Sequence, residues 1–206
     1  VQHFLTASIL SVPGAIMYAE IMYPSEEITH QIEDIKEEKI YSGSMDAITK
    51  GTKDGLSIAV NVAAILISVL ALVSIVDGIL GLLSTDLSLQ KILGYIFTPI
   101  SWLMGVPWSE VSGAAELLGI KIATNEFVAY IQLGSLDPAL FSDRTKVIVL
   151  YALCGFANFS SVGILISGIG SMAPERIPDL IQVSGKALVG ATLASCLTGL
   201  VAGLFV

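Results

Sequence analysis

Long runs of uncharged residues alternate with short polar segments along this chain. Five segments contain no Asp, Glu, Lys or Arg, namely 1–19, 55–76, 92–109, 147–174 and 187–206. About 20 consecutive apolar residues suffice to cross the hydrocarbon core of a bilayer. A helix on the surface of a soluble protein carries a polar face, which most of these runs lack. The pattern therefore predicts an all-α integral membrane protein with several transmembrane helices.

The polar interruptions divide the chain into seven predicted segments. We expect the interfacial helix of the second segment to begin with Ser44 as its N-cap. In chain order the segments are a transmembrane span at 1–22 kinked at Pro13, a polar connector with an interfacial helix at 23–54, a transmembrane span at 55–83, an interfacial helix at 88–104, a re-entrant hairpin at 106–136, a broken transmembrane helix at 145–172 and a final transmembrane span at 178–206.

The hairpin segment is predicted to contain two short helices. Pro107 and Ser109 favour the start of the first helix and Gly119 its end, whereas Asn125 is a cap for a second helix beginning NEFVAYIQL. At 1.5 Å per residue, each piece of about ten residues is roughly half a membrane thick. Such backbone is tolerated at membrane depth only inside protein or against a wet cavity. The alternative is an ordinary hairpin outside the membrane.

The heptapeptide GFANFSS at 155–161 places polar residues in the middle of an uncharged run. Gly155 is a poor helix former, and Asn and Ser side chains favour bonds to nearby backbone over helix continuation. A broken helix, capped by Asn158 or Ser160, would place its ends at a substrate as transporters do. Asn158 and Ser161 then offer polar groups, and Phe156 a wall. The alternative is a continuous helix that packs through small residues.

Two carboxylates interrupt the apolar regions. Glu126 follows Asn125, where a helix N-terminus stabilises negative charge, and an ionisable group at membrane depth is a functional candidate. Because an ionised carboxylate only accepts hydrogen bonds, it suits the hydroxyls of a sugar. The alternative is a simple N-terminal charge on an interfacial helix. For Asp77 the two alternatives are a position at the membrane interface and a role in a proton relay.

Composition narrows the function classes. Of the 206 residues 14% are charged, against about a quarter in soluble domains, and the net charge is −8. Much of the acid lies in the connector at 26–38, which we interpret as solvated rather than as a metal site around His30. Nucleic acid is not an expected partner. Two Cys in apolar spans indicate no disulfide framework, and no cofactor is expected. The opening Val1-Gln2-His3 suggests a fragment of a larger protein.

Several segments resemble the C-terminal half of concentrative nucleoside transporters. The resemblance covers nearly the whole chain apart from the acidic connector. The segments that carry it are NEFVAYIQL at 125–133, YALCGFANFSSVGILISGIGSMAPER at 151–176, GATLASCLTGLVAGL at 190–204, ILGYIFTPISWLMGVPW at 92–108 and HFLTASILSVPGAI at 3–16.

The resemblance implies a nucleoside symporter driven by Na⁺ or H⁺, in a multi-pass plasma membrane location that is the inner membrane in bacteria. It implies that the protein assembles as a homotrimer in the lipid bilayer. Residues 55–83 would be a scaffold span, and the whole chain would be half of an inverted-repeat transporter. Glu126, Asn158 and Ser161 resemble ribose-binding groups, and Phe156 resembles a residue lining the same site. The coupling-cation site and most base recognition would lie mainly outside this chain.

Two other hypotheses make different predictions. A non-transporting membrane assembly or receptor module predicts that Glu126 and Asn158 lie apart or face away from any cavity. An intramembrane enzyme requires a nucleophile paired with a base, or a metal cluster, and the sequence contains no such motif. The chain is therefore not expected to be an enzyme.

Overall fold

The computed structural model describes residues 2–24, 42–84 and 87–206, so the acidic run and His30 lie outside the described residues. Within those ranges all regular structure is helical. The helices are α1 (Gln2–Met22), α2 (Ser44–Leu83), α3 (Leu89–Leu103), α4 (Val111–Ala123), α5 (Glu126–Ser135), α6 (Asp143–Leu153), α7 (Phe159–Met172) and α8 (Ile177–Gly203), the last preceded by a short 3-10 turn (Pro174–Arg176).

Among the described residues, three stretches are long and apolar enough to cross a membrane. These are α1, α2, and the 3-10 turn together with α8, Pro174–Gly203. Apolar side chains project outward from the first two, as with Ile9 at 72% exposure and Ile67 at 70%. Outward-facing apolar residues of this kind suit a lipid environment, because a soluble protein rarely exposes large contiguous apolar patches. The all-helical membrane class predicted from the sequence is confirmed.

The second helix corrects one predicted boundary. Helix α2 is continuous from Ser44 to Leu83, so the separation expected between an interfacial turn ending at residue 54 and a span starting at Gly55 is wrong. Ser44 is the first helical residue rather than the cap, since Gly43 occupies the cap position. Each glycine inside a helix lowers the stability of that helix by only about 1 kcal/mol relative to Ala. This is too little to end a 40-residue helix.

Helix α4 corrects a second boundary. It begins at Val111 rather than at Pro107 or Ser109, and it runs through Gly119 to Ala123. A Cβ added at Gly119 would lie 2.5 Å from the Gln90 carbonyl oxygen and 2.7 Å from the Gly94 nitrogen. The glycine therefore lets α4 approach the backbone of α3 closely, and it does not terminate the helix.

The core lies around α4. Helix α4 packs against α3, α5 and α6; α6 packs against α8; and α7 packs against both α2 and α8. The buried core residues come mainly from these elements, with Leu117, Leu118, Ile148 and Leu153 almost fully enclosed. This packing places the α4–α5 hairpin directly beside the interruption between α6 and α7.

Candidate substrate site

The tip of the α4–α5 hairpin presents Glu126 at a helix N-terminus. Asn125 is the N-cap of α5, as predicted, and its Oδ1 accepts a hydrogen bond from the Val128 nitrogen at 3.0 Å. Glu126 is the first helical residue and is partly buried. It therefore lies at the end of α5 where the helix dipole stabilises negative charge.

The helix is interrupted within GFANFSS, as the sequence predicts. Helix α6 ends at Leu153 and α7 begins at Phe159. Asn158 is the N-cap of α7, and it forms a capping box with Ser161. The Ser161 nitrogen donates to Asn158 Oδ1 at 2.7 Å, and the Asn158 nitrogen donates to Ser161 Oγ at 3.0 Å. The alternative of a continuous packing helix is therefore wrong at this point.

The hairpin tip and the helix interruption contact each other directly. Asn158 Nδ2 donates to Glu126 Oε2 at 2.7 Å, and Ser160 Oγ donates to the Thr124 carbonyl at 3.3 Å. Thr124 is the C-cap of α4. Residues 32 positions apart in the sequence thus form one polar cluster. This contradicts one alternative of the non-transporting assembly hypothesis, that the two residues lie apart. The other alternative, that they face away from any cavity, stays a prediction.

Phe156 borders two cavities beside this cluster. Its side chain is 47% exposed, unlike the buried Asn158 and Ser161. One cavity of about 210 Å³ lies between α7 and α8 and is lined mostly by apolar side chains, together with Ser161. The other, of about 170 Å³, includes the hydroxyl-bearing residues Ser8, Ser11, Ser195 and Thr198. A half-exposed aromatic ring that borders such cavities can pack against a planar or ring-shaped ligand.

The remaining hydrogen-bonding capacity differs among the four predicted residues. The Ser161 hydroxyl donates to the Asn158 carbonyl at 2.7 Å, so its only proton is already used. Asn158 is fully buried, and both ends of its amide are engaged, by Ser161 and by Glu126. The Glu126 carboxylate offers about four lone-pair positions, of which Asn158 takes one at Oε2. Glu126 therefore retains the largest capacity to accept hydroxyl groups.

Two hairpin residues that the sequence analysis did not select bind the end of α6. Lys121 on α4 is 1% exposed, and its Nζ donates to the Ala152 carbonyl at 2.8 Å. On α5, the Tyr130 hydroxyl donates to the Leu150 carbonyl at 2.9 Å. The available signal was the single charge in the apolar stretch LLGIKIA, since an ionisable residue at membrane depth is a functional candidate.

Asp77 lies near the end of α2 and binds the start of α3. Its Oδ1 accepts from the Leu89 nitrogen at 2.7 Å, and its Oδ2 accepts from Gln90 Nε2 at 3.0 Å. A carboxylate at a helix N-terminus is stabilised by unpaired N–H groups. The position therefore favours a role in joining the two helices.

Within the described residues, no group of three His, Cys, Asp or Glu side chains is placed to hold a metal ion.

Comparisons of the sequence with known proteins find relatives that are described as transporters or permeases. The family model described as "Na+ dependent nucleoside transporter C-terminus" matches residues 3–203. Over nearly the whole chain, the sequence is 39% identical to the uncharacterized transporter YutK of Bacillus subtilis, covering 100% of this chain and 53% of that protein. It is 38% identical to the nucleoside permease NupC of Helicobacter pylori, covering 99% and 51%.

A solved structure is similar as well. The transporter CNTnw in an inward-facing substrate-bound state matches with a TM-score of 0.78 and 38% sequence identity, covering 98% of this chain and 50% of that one. The chain thus spans about half the length of these relatives. The relatives whose function is stated in their names are transporters.

Proposed function

We propose that this chain forms the C-terminal portion of a cation-coupled nucleoside symporter and carries the ribose-binding half of the substrate site. The proposal starts from the family, because the chain belongs to the Na⁺-dependent nucleoside transporter family. The observation that carries this proposal is the 2.7 Å bond between Asn158 Nδ2 and Glu126 Oε2. It joins a hairpin tip to a helix interruption, and broken helices of this kind surround substrates in transporters.

The substrate chemistry follows from the groups in the cluster. Ribose presents adjacent hydroxyls, and an ionised carboxylate is an acceptor that binds such donors strongly. Glu126 accepts ribose hydroxyls, Asn158 orients the carboxylate, and Ser161 fixes Asn158 through the capping box. Phe156, which is 47% exposed, packs against the ligand.

The membrane arrangement proposed for the site uses helix lengths. Helices α4 and α5 have 13 and 10 residues, or about 20 Å and 15 Å at 1.5 Å per residue. Each is shorter than the roughly 30 Å hydrocarbon core. We place them as a re-entrant hairpin at 106–136, facing the broken transmembrane helix at 145–172, whose two pieces are α6 and α7.

The remaining segments complete the proposed topology. The spans at 1–22 and 178–206 cross the membrane, and so does the 55–83 part of the continuous helix α2, which is the scaffold span. The 44–54 part of the same helix and the helix at 88–104 lie at the membrane interface. The chain is then half of an inverted-repeat transporter that assembles as a homotrimer. The coupling cation, Na⁺ or H⁺, binds mainly outside this chain.

The test of the proposed function is Glu126→Gln in the full-length transporter. Glutamine keeps the size but removes the charge. A hydrogen bond to a charged group contributes about 1.5–3 kcal/mol, against about 0.5–1.5 kcal/mol for a neutral one, so losing the charge at one ribose hydroxyl is expected to weaken nucleoside binding by about 5- to 13-fold. Binding is measured by calorimetry on purified protein, and uptake in reconstituted vesicles.

The matched control is Glu116→Gln, the same change at an exposed position on α4. It is expected to bind and transport nucleoside as the wild type does. Wild-type uptake by Glu126→Gln at equal expression would overturn the assignment of the ribose site. A wild-type protein that binds nucleoside without accumulating it would instead favour a receptor module.

A further inference from the structure

The Lys121 side chain ends where helix α6 ends. It extends from α4 into the protein interior, with 1% of its surface exposed, and its Nζ donates to the Ala152 carbonyl at 2.8 Å. Ala152 is the penultimate residue of α6. Its carbonyl is one of the last four in the helix, which lack partners from within a regular helix. Lys121 therefore places its ammonium at the negative end of the α6 dipole.

The surroundings of this ammonium include Glu126 of the candidate site. Glu126, Cys154 and Cys196 are close enough to interact with it electrostatically. A Cβ added at Gly155 would lie 3.5 Å from Lys121 Nζ, so the first residue of the GFANFSS motif packs almost directly against the charge. Burial of an ammonium is unfavourable unless charges and hydrogen-bond acceptors compensate it. Here the Ala152 carbonyl at the end of α6 accepts a hydrogen bond from the ammonium at 2.8 Å.

Broken helices in transporters use the same geometry for a different cation. The C-terminal ends of half-helices and unwound carbonyls coordinate Na⁺ or H⁺ near the bilayer midplane. At the end of α6 a covalently attached ammonium occupies the corresponding place. Its anchor lies on the first helix of the hairpin, five residues before Glu126.

We propose that Lys121 is a positioning residue for the substrate site and acts as a tethered cation at the C-terminal end of α6. By holding this end against α4, it fixes the hairpin tip relative to the interruption, so that the Glu126 carboxylate meets Asn158 at 2.7 Å. The end of α6 then needs no cation from solution. This inference rests on the proposed function, because its readout is nucleoside affinity.

The experiment compares three substitutions in the full-length transporter. Lys121→Arg keeps the charge and the donors, Lys121→Gln keeps a donor without the charge, and Lys121→Met keeps only the approximate length. Because hydrogen bonds to charged groups exceed neutral ones in strength, we expect Gln and Met to raise the KM for nucleoside by about tenfold or more, and Arg to stay within about threefold. Lys146→Gln on the exposed side of α6 is the matched control, and it is expected to keep the wild-type KM.

The outcomes separate a charge effect from a packing effect. If Lys121→Gln binds nucleoside as the wild type does, the charge is unnecessary and the proposal is wrong. If Arg loses as much affinity as Gln while the thermal unfolding temperatures stay equal, the proposal is likewise wrong. If Lys121→Met does not fold, the comparison of Lys121→Arg with Lys121→Gln still tests whether the charge is required. A wild-type protein that binds no nucleoside would instead reject the proposed function.

Discussion

Gly155→Ala tests whether the GFANFSS interruption depends on close packing against α8. A Cβ at Gly155 would overlap the Ser195 hydroxyl and lie 2.8 Å from Ser195 Cβ. Ser195 is 5% exposed on α8, and its Oγ donates to the Ala191 carbonyl at 2.8 Å. The close contact with Ser195 Cβ means that rotating the hydroxyl away does not relieve the overlap, so either the backbone of α8 or that of the interruption must shift.

The magnitude follows from two opposing effects. Adding a methyl group to a packed site costs about 1–3 kcal/mol. Replacing Gly by Ala also reduces the entropy of the unfolded chain, which stabilises by about 0.4–1 kcal/mol at compatible positions. Overlap is the larger effect here, so Gly155→Ala is expected to be destabilising. In a domain of this size each kcal/mol lowers the unfolding temperature by about 2–4 °C, with a smaller shift expected in a longer chain.

The assay is thermal unfolding of the detergent-solubilised full-length protein. Gly185→Ala is the matched control: it lies in α8 with nothing within 4 Å of an added Cβ, and it is expected to be neutral or stabilising by up to about 1 kcal/mol. Ser195→Gly removes both clashing atoms, so it should recover stability when combined with Gly155→Ala. Wild-type unfolding of Gly155→Ala, or no recovery in the double variant, would show that close packing of Gly155 against Ser195 does not determine the stability.

Two further substitutions test other contacts. Asn158→Asp keeps an N-cap acceptor but replaces the amide that donates to Glu126 with a second carboxylate, so repulsion between like charges is expected to weaken nucleoside binding. Wild-type affinity in this variant would argue against that contact. Asp77→Asn is expected to lower thermal stability by about 0.3–1 kcal/mol through the weakened bond to the start of α3, and to leave the pH dependence of nucleoside uptake unchanged. Loss of that dependence would support a proton relay instead.

Features set by neighbouring residues were predictable from the sequence. Asn125 and Asn158 both cap helices, as their positions before apolar stretches indicate. Capping involves a side chain and a nitrogen three residues later, so local chemistry decides it. The interruption at GFANFSS is predictable for the same reason, because glycine and short polar residues compete with the helix locally.

Features set by tertiary packing were not predictable. Gly119 was expected to end a helix, but it serves the close approach of α4 to α3. A glycine in a sequence signals either a terminus or a close contact, and only the neighbouring helix distinguishes them. Lys121 is visible as a lone charge, yet its partner is 31 residues away on another helix. Periodicity and capping rules carry no information about such pairs.

The hydrogen bonds within the candidate site argue for a division of roles among its residues. The Ser161 hydroxyl donates its only proton to the Asn158 carbonyl, and the Asn158 amide donates one proton to Glu126. Both are buried within the interruption, whereas Phe156 is about half exposed and Glu126 retains unused lone pairs. A sugar can therefore add its hydroxyls to a carboxylate that Asn158 already orients, without displacing that bond. The proposed ribose site then needs little reordering when a sugar binds, and such preorganisation lowers the entropic cost of binding.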